Sequence, residues 1–337
     1  MISSNRSKFT GSSAALSQLL ELTQSSPDWR LTVLDLSSLN LFPVSSATLT
    51  ASLTASLTRL EEVDLQFARL TSSQVTALLG GLAERRTLAR LDISGVDLSK
   101  VTAELVAAAV CSLTEVNLTG TNLSQDKVSL VFTSIKETEN LRLERLNVSY
   151  CGLSSVDPSV LSSVVSKLRS LNLHSVHLTA DQVAAVVRAV RLMDDLDLSY
   201  NDLSSLPGDL AAQTLCRARH LNISGSGLTT QQINSLFQLI SNKDLKTNLT
   251  NLDISNNNLS SISPDILSKV AAKLDQVNFN QTCLSSEQVR FLQSNLPTEK
   301  VKNIAIQRRG ENANDCSLMN SLDVDILLRN YLASFKL

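Results

Sequence analysis

Acid–base and metal chemistry need side chains of the right type held close together, and in this 337-residue chain the candidates fall at regularly recurring positions. Asp35, Asp64 and Asp92 open a series continued by Asn117, Asn147, Asn172, Asp197, Asn222, Asp253 and Asn278. Such a row of carboxylates and amides suits a basic or amide-rich protein surface. If neighbouring strands set the three aspartates about 4.8 Å apart, they should repel one another. Glu62, Arg90, Glu115 and Arg145 alternate in sign and can pair laterally. Phe67, Tyr150 and Tyr200 also share one recurring position. There they either anchor a partner or cover a neighbouring loop, and Asp194 and Asp195 add negative charge close to Tyr200.

Catalytic constellations are missing. The three histidines are His174, His177 and His220. His174 and His220 fall two strands apart, about 9.6 Å, too far to share a zinc ion without a third ligand. A diagonal approach of His174 to Asp197 would make a pH-sensitive contact. No G-x-x-x-x-G-K-S/T, H-E-x-x-H, G-x-S-x-G or C-x-x-C motif occurs, and ten glycines leave few turns for cradling a nucleotide. The expectation is a protein without catalytic residues, metal or cofactor.

These positions are set by a pattern that recurs eleven times at intervals of 25 to 31 residues. Leu249, Leu252, Ile254, Asn257 and Leu259 show it cleanly as L-x-x-L-x-L-x-x-N-x-L. Other copies begin at Leu31, Leu60, Leu88, Leu113, Leu143, Leu168, Met193, Ala218, Leu274 and Val301. Within each copy the fourth and sixth residues alternate with polar ones, the period of a short half-buried strand. The long spacing excludes hairpins and requires parallel strands. Connecting residues such as Val183, Val186, Val187 and Val190, or Ile233, Leu236, Phe237 and Ile240, follow helical spacing.

Connectors come in two alternating kinds. After even copies a hydroxyl residue precedes Gln or Lys by three positions: Thr71/Gln74, Ser124/Lys127, Thr179/Gln182, Thr229/Gln232 and Ser285/Gln288. Four of these five match a capping box. After odd copies, Asp157-Pro158 and Ser263-Pro264 place a cap residue before a proline suited to the first helical turn. The pattern resembles the leucine-rich-repeat family, and its alternation is similar to the ribonuclease-inhibitor class, which includes the repeat regions of cytosolic immune receptors. That resemblance implies an α/β, right-handed horseshoe solenoid with strands on the concave face and helices on the convex face. It also implies that partners bind in the hollow. Asn201 and Asn257 alone keep asparagine at the ninth position, so the other loops are expected to lack its hydrogen-bond ladder, although the class that the pattern resembles tolerates Cys and Thr there.

One domain over residues 1–337 is expected, since stacked repeats lengthen a domain without dividing it. Residues 1–30 read as an N-terminal cap with a helix over Ser13–Thr23 and Trp29 plugging the first strand. Residues 31–306 hold the repeats. Residues 307–337 read as a polar, mobile loop and a helix bearing Val324, Leu327, Leu328, Tyr331, Leu332 and Phe335 on one stripe, which either caps the last repeat or docks into a partner groove. A net charge of -2, 43% hydrophobic residues and no apolar run of about 20 residues fit a soluble chain outside the membrane. The first nine residues lack a secretory signal's apolar stretch. Five scattered cysteines, Cys111, Cys151, Cys216, Cys283 and Cys316, read as free buried thiols of a cytoplasmic protein. Of eight N-x-S/T sequons, Asn117, Asn147 and Asn222 share one strand position and follow from the repeat consensus, so the sequons read as incidental.

A monomeric, non-catalytic scaffold is therefore expected, a sensor or inhibitor that binds a partner protein with a basic surface. The candidate contact residues are Asp35, Asp64, Asp92, Phe67, Tyr150, Asp195, Asp197 and Tyr200. Nucleic acid is disfavoured because no Lys/Arg stripe is visible. The alternatives are a regulator of a small GTPase, of GTPase-activating type, and a cytoskeletal or ciliary structural component.

Overall fold

The computed structural model describes residues 6–8, 32–49, 60–83, 88–242, 244 and 247–306, and it divides into two compact units, Met1–Val160 and Leu161–Leu337. The first unit carries strands β1 (Arg6–Lys8), β2 (Val33–Asp35), β3 (Glu62–Asp64), β4 (Arg90–Asp92), β5 (Glu115–Asn117) and β6 (Arg145–Asn147). The second carries β7 (Ser170–Asn172), β8 (Met193–Asp197), β9 (Ala218–Asn222), β10 (Asn251–Asp253), β11 (Gln276–Asn278) and β12 (Ile304–Ala305). Within each unit the strands pair parallel in chain order, and each copy stands in register with the next. This is an open α/β solenoid, as the alternation and spacing require.

Register makes the core. Leu34, Val63, Leu91, Val116 and Leu146 stand side by side in the first unit and are at most 5% exposed. Leu171, Leu196, Leu221, Leu252 and Val277 form the same row in the second and are equally buried. The sixth-position residues, Leu36 to Phe279, add a parallel row behind them. A one-residue slip would turn both rows toward solvent, so the leucine pattern itself specifies register.

Helices α1 (Ser72–Ala83), α2 (Ala103–Ser112), α3 (Gln125–Glu137), α4 (Pro158–Lys167), α5 (Ala180–Ala189), α6 (Gly208–Leu215), α7 (Thr230–Ser241), α8 (Pro264–Lys273) and α9 (Ser286–Asn295) fill the connectors, and a single turn, α10 (Thr298–Val301), precedes β12. Val183, Val186 and Val187 of α5 and Ile233, Leu236, Phe237 and Ile240 of α7 are buried, as their spacing predicts. Reciprocal capping bonds form at Thr71/Gln74, Thr179/Gln182, Thr229/Gln232 and Ser285/Gln288. Ser124, followed by Lys127, makes no side-chain cap bond. Ser263 caps α8 ahead of Pro264.

The two connector types depend on each other. After odd copies the chain makes a tight turn from the eleventh residue, with Val44 N–H on Leu41 O, Val101 on Leu98, Leu206 on Leu203 and Ile262 on Leu259. Carbonyls of these turns then accept from the capping side chain of the next, even copy. Gln74 Nε2 reaches Leu41 O and Val44 O at 2.7 and 2.6 Å, and Gln288 Nε2 reaches Ile262 O at 2.7 Å. Lys127 Nζ does the same toward Ser99 O and Val101 O, both at 2.6 Å. At the tenth position Asn122, His177, Gly227 and Cys283, of the fourth, sixth, eighth and tenth copies, have positive φ, which leads the chain directly to the next helix start.

Several expectations need correction. β1 adds a rung upstream of the first copy, where a helical cap alone was expected; its parallel pairing occupies backbone groups that an edge strand would leave open. The ninth-position hydrogen bonding persists in part where asparagine is missing, although Leu39, Ala68, Val96 and Val176 carry no polar group to make it. Thr121, Ser226 and Thr282 hydroxyls donate to the carbonyl three residues back, and Cys151 Sγ donates to Leu118 O of the preceding copy. Cys111, Cys151 and Cys216 are free thiols, and burial raises the Cys151 and Cys216 pKa values to about 11 and about 12. Cys283 departs from the expected free, buried thiol: it is disulfide-bonded and only partly buried. The helix predicted over Ser13–Thr23, Trp29, Cys316 and all of residues 307–337 lie outside the described residues. No described helix is long and apolar enough to cross a membrane.

Candidate functional site

The strand face opposite the leucine rows carries the third, fifth and seventh positions of each copy. At the fifth position each side chain folds back onto its own turn. Asp92 Oδ1 accepts from Ser94 N and Oγ, and Asp197 Oδ1 from Ser199 N and Oγ. Asp253 Oδ1 accepts likewise from Ser255 N and Oγ, while Asp64 Oδ1 accepts from Gln66 N. The second carboxylate oxygen of three of these residues accepts from an asparagine on the next strand. The pairs are Asn117–Asp92, Asn222–Asp197 and Asn278–Asp253, each at 2.8 Å.

Asp35, Asp64 and Asp92 do stand adjacent on β2, β3 and β4, as expected. Asp35 is only 6% exposed, and its Oδ1 accepts from Ser37 N and Oγ. The row is thus an internal ladder as much as a surface. The D/N-x-S/T pattern in these strands is the sequence signal of these short side-chain turns.

Third-position side chains pair with one another and remain accessible. Arg90 Nη2 binds Glu62 Oε2 at 2.8 Å, the lateral pairing that the alternating charges predict. In the second unit Asp195 binds His220 Nδ1 at 2.7 Å, with the two side chains 42% and 43% exposed. Asn251 donates to Gln276 on the following strand. Sequence reasoning had not singled out Asn251, Gln276 or Asn303, although their shared third position could have marked them.

Over β7 to β12 the strand face forms a hollow of about 610 Å³. Its lining includes Asp195, Asp197, His220, Asn222, Asn251, Asp253, Gln276, Asn278 and Asn303, with Lys302 at the far end. Of the predicted contact residues only Asp195 and Asp197 line it; Asp35, Asp64, Asp92, Phe67 and Tyr150 belong to the first unit.

The eighth position is left-handed in every copy from Ser38 (φ 62°) to Gln281 (φ 57°), which accounts for its Gly, Ser and Asn residues. Phe67, Tyr150 and Tyr200 adopt this conformation too, with φ of 54°, 62° and 55°. Two of the rings lie over the eighth residue of the next copy. A Cβ on Gly95 would stand 2.2 Å from Phe67 Cδ1, and one on Gly225 would stand 2.7 Å from Tyr200 Cε1. Tyr200 also meets the His174 ring edge-on at 5.2 Å, and its hydroxyl accepts from Asn256 Nδ2.

His174 Nδ1 lies 2.6 Å from Ser199 Oγ, which itself donates to Asp197. The Ser199 proton is therefore directed to the carboxylate, and the imidazole must donate from Nδ1, leaving its lone pair on Nε2. This order is wrong for an activated serine, which must give its proton to the imidazole. Ser199 is also 1% exposed. Burial lowers the His174 pKa below its usual 6.5, with the Asp197 charge opposing. His174 and Asp197 thus meet through a serine rather than directly.

The Leucine Rich Repeat family profile matches residues 142–164 and 248–270, which begin at the fifth and ninth copies of the pattern. The chain is built from leucine-rich repeats. Leucine-rich-repeat arrays act as protein-interaction scaffolds, and this one shares their extended strand face. Among solved structures, the leucine-rich repeat-containing protein LegL7 from Legionella pneumophila aligns at 18% identity and a TM-score of 0.47, over 90% of this chain and 89% of that one. A chain from the Rad7–Elc1 complex of yeast aligns at 15% identity and a TM-score of 0.47, over 88% and 72%. No curated protein matches the sequence.

Proposed function

We propose that this leucine-rich-repeat protein is a non-catalytic scaffold that holds a partner protein against the strand face of its second unit. The observation carrying this reading is the division of labour across that face. Fifth-position groups are engaged by their own turns and by the next strand, whereas the third-position row is accessible above the hollow. Three carboxylates, Asp195, Asp197 and Asp253, face His220 and Lys302 there, which favours a basic or amide-bearing partner over phosphates. Tyr200 would contribute a ring edge beside that face, while Asp35, Asp64, Asp92, Phe67 and Tyr150 are candidate contacts of the first unit's own strand face.

The test is a footprint on the native complex, by hydrogen exchange and cross-linking of the chain with the partner that co-purifies with it. Protection of β8 to β11, and loss of binding on Asp195→Lys but not on Asp35→Asn, is the expected result. A partner that protects only the helical face would overturn the reading.

A further inference from the structure

Resting on that reading of the second unit's face, we infer that the segment it takes is a helix with a basic face, lying across the strands from β8 toward β12. The strands beneath are paired on both sides from β8 to β11, so their backbone groups offer nothing to a chain lying over the sheet. An extended segment placed there would leave its own N–H and C=O groups to side chains alone. A helix satisfies them internally and presents only side chains.

Spacing favours the same occupant. Successive rungs of the face repeat at about 4.8 Å, close to the helical pitch of about 5.4 Å. An extended chain shows a side chain on one face only every ~6.7 Å. From β7 to β12 there are five strand intervals, about 24 Å in all, which about sixteen helical residues would cover.

Charge gives the direction. Asp195 and Asp197 lie on β8 and Asp253 on β10, while Lys302 stands beside β12. A helix has partial positive charge at its N-terminus and partial negative charge at its C-terminus, so its start belongs over β8 and its end toward Lys302. Basic side chains about seven residues apart on one face would span the two-strand interval from the accessible Asp195 on β8 to Asp253 on β10, whose oxygens stay bonded to Ser255 and Asn278 and which attracts by its charge. Between and beyond them, Asn251, Gln276 and Asn303 can exchange hydrogen bonds with polar side chains.

The probe is an alanine-based helical peptide of about sixteen residues with two arginines about seven residues apart. It is compared with the same peptide broken by two central prolines and with a glutamate-for-arginine version. Binding to the full chain is followed by fluorescence anisotropy, and the site by backbone amide shifts. The helical arginine peptide should shift Asp195, His220, Asn251 and Gln276 and bind roughly tenfold more weakly to Asp195→Lys. A spin label at its N-terminus should broaden β8 resonances, and one at its C-terminus those around Lys302.

Equal binding of the proline-broken peptide, failure of the helical peptide to shift those residues, or the reverse broadening pattern would overturn the inference. If a native partner protects β8 to β11 while the helical peptide fails, only the helix falls. If the partner leaves that face unprotected, the underlying reading falls with it.

Discussion

The side-chain amide of Gln232 donates to the carbonyl of Leu206 at 2.6 Å, tying a helix start in one repeat to the turn of the repeat before it. The same Nε2 reaches Leu203 O at 2.9 Å, while Oε1 accepts from Thr229 N. One buried amide thus closes a capping box and pins a neighbouring loop. Gln74 and Gln288 repeat the arrangement, which is why the repeats come in unlike pairs: the odd member supplies the carbonyls and the even member the donor.

Truncating Gln232 to alanine leaves buried carbonyls without a donor and opens the cap. The expected loss is about 2 to 4 kcal/mol, from a cap worth about 1 and unsatisfied groups worth about 1 to 3. Lys127→Gln should be tolerated, since glutamine occupies the equivalent place in other pairs. Urea unfolding of the two variants beside the wild type checks both, and equal midpoints for Gln232→Ala and the wild type would refute the pinning role.

Gly225 pairs positive φ with a ring overhead, so Gly225→Ala should destabilise through backbone strain and through collision with Tyr200. In a Tyr200→Ala background the collision disappears and only the strain remains. The double-mutant cycle should therefore show favourable coupling of about 1 kcal/mol or more between the two changes. Additivity would show that Tyr200 leans elsewhere in solution.

Asp197 and Asn222 exchange one bond that has a fixed donor and a fixed acceptor. Asp197→Asn would bring two amide groups together while a turn still requires the acceptor side, and a loss of about 1 to 2 kcal/mol follows. Adding Asn222→Asp restores one carboxylate facing one amide and should recover part of that loss, the remainder being repulsion between the new carboxylate and Asp253 beside it on β10. Thermal unfolding of the two single variants and the swap separates this pairing from a simple loss of charge, because the swap leaves net charge unchanged.

Strand register, core rows and helix starts were legible because each depends on residues close in sequence: Leu34 beside Leu36, or Thr229 three residues before Gln232. The second bond of Gln232 was not, since its acceptor lies 26 residues away and any buried amide would satisfy the local pattern. Availability was also hidden. Asp92 and Asp195 look alike as aspartates on strands, yet Asp92 is engaged through both oxygens while Asp195 shares an accessible pair with His220. Glycine, serine and asparagine at the eighth position did signal a left-handed turn. Tyr200 masks the signal, because an aromatic residue rarely adopts positive φ and does so here with its ring over Gly225.

His174 provides a pH test of the rim. Its folded pKa lies below 6.5 because burial disfavours the imidazolium, with Asp197 opposing. Above that value both folded and unfolded imidazoles are neutral, and this group adds no slope to stability. As pH falls through 6.5 the unfolded chain binds its proton first, so stability declines until the folded pKa is passed, and below it the slope vanishes again. His174→Gln keeps a donor near Ser199 but cannot titrate, so its denaturation midpoint should lose that part of the acid-side decline. NMR titration of the ring carbons should place the folded transition below 6.5 and show the Nδ1–H tautomer on the neutral side. A midpoint at or above 6.5, or a neutral ring protonated at Nε2, would mean that Ser199 and Asp197 do not hold the imidazole as described.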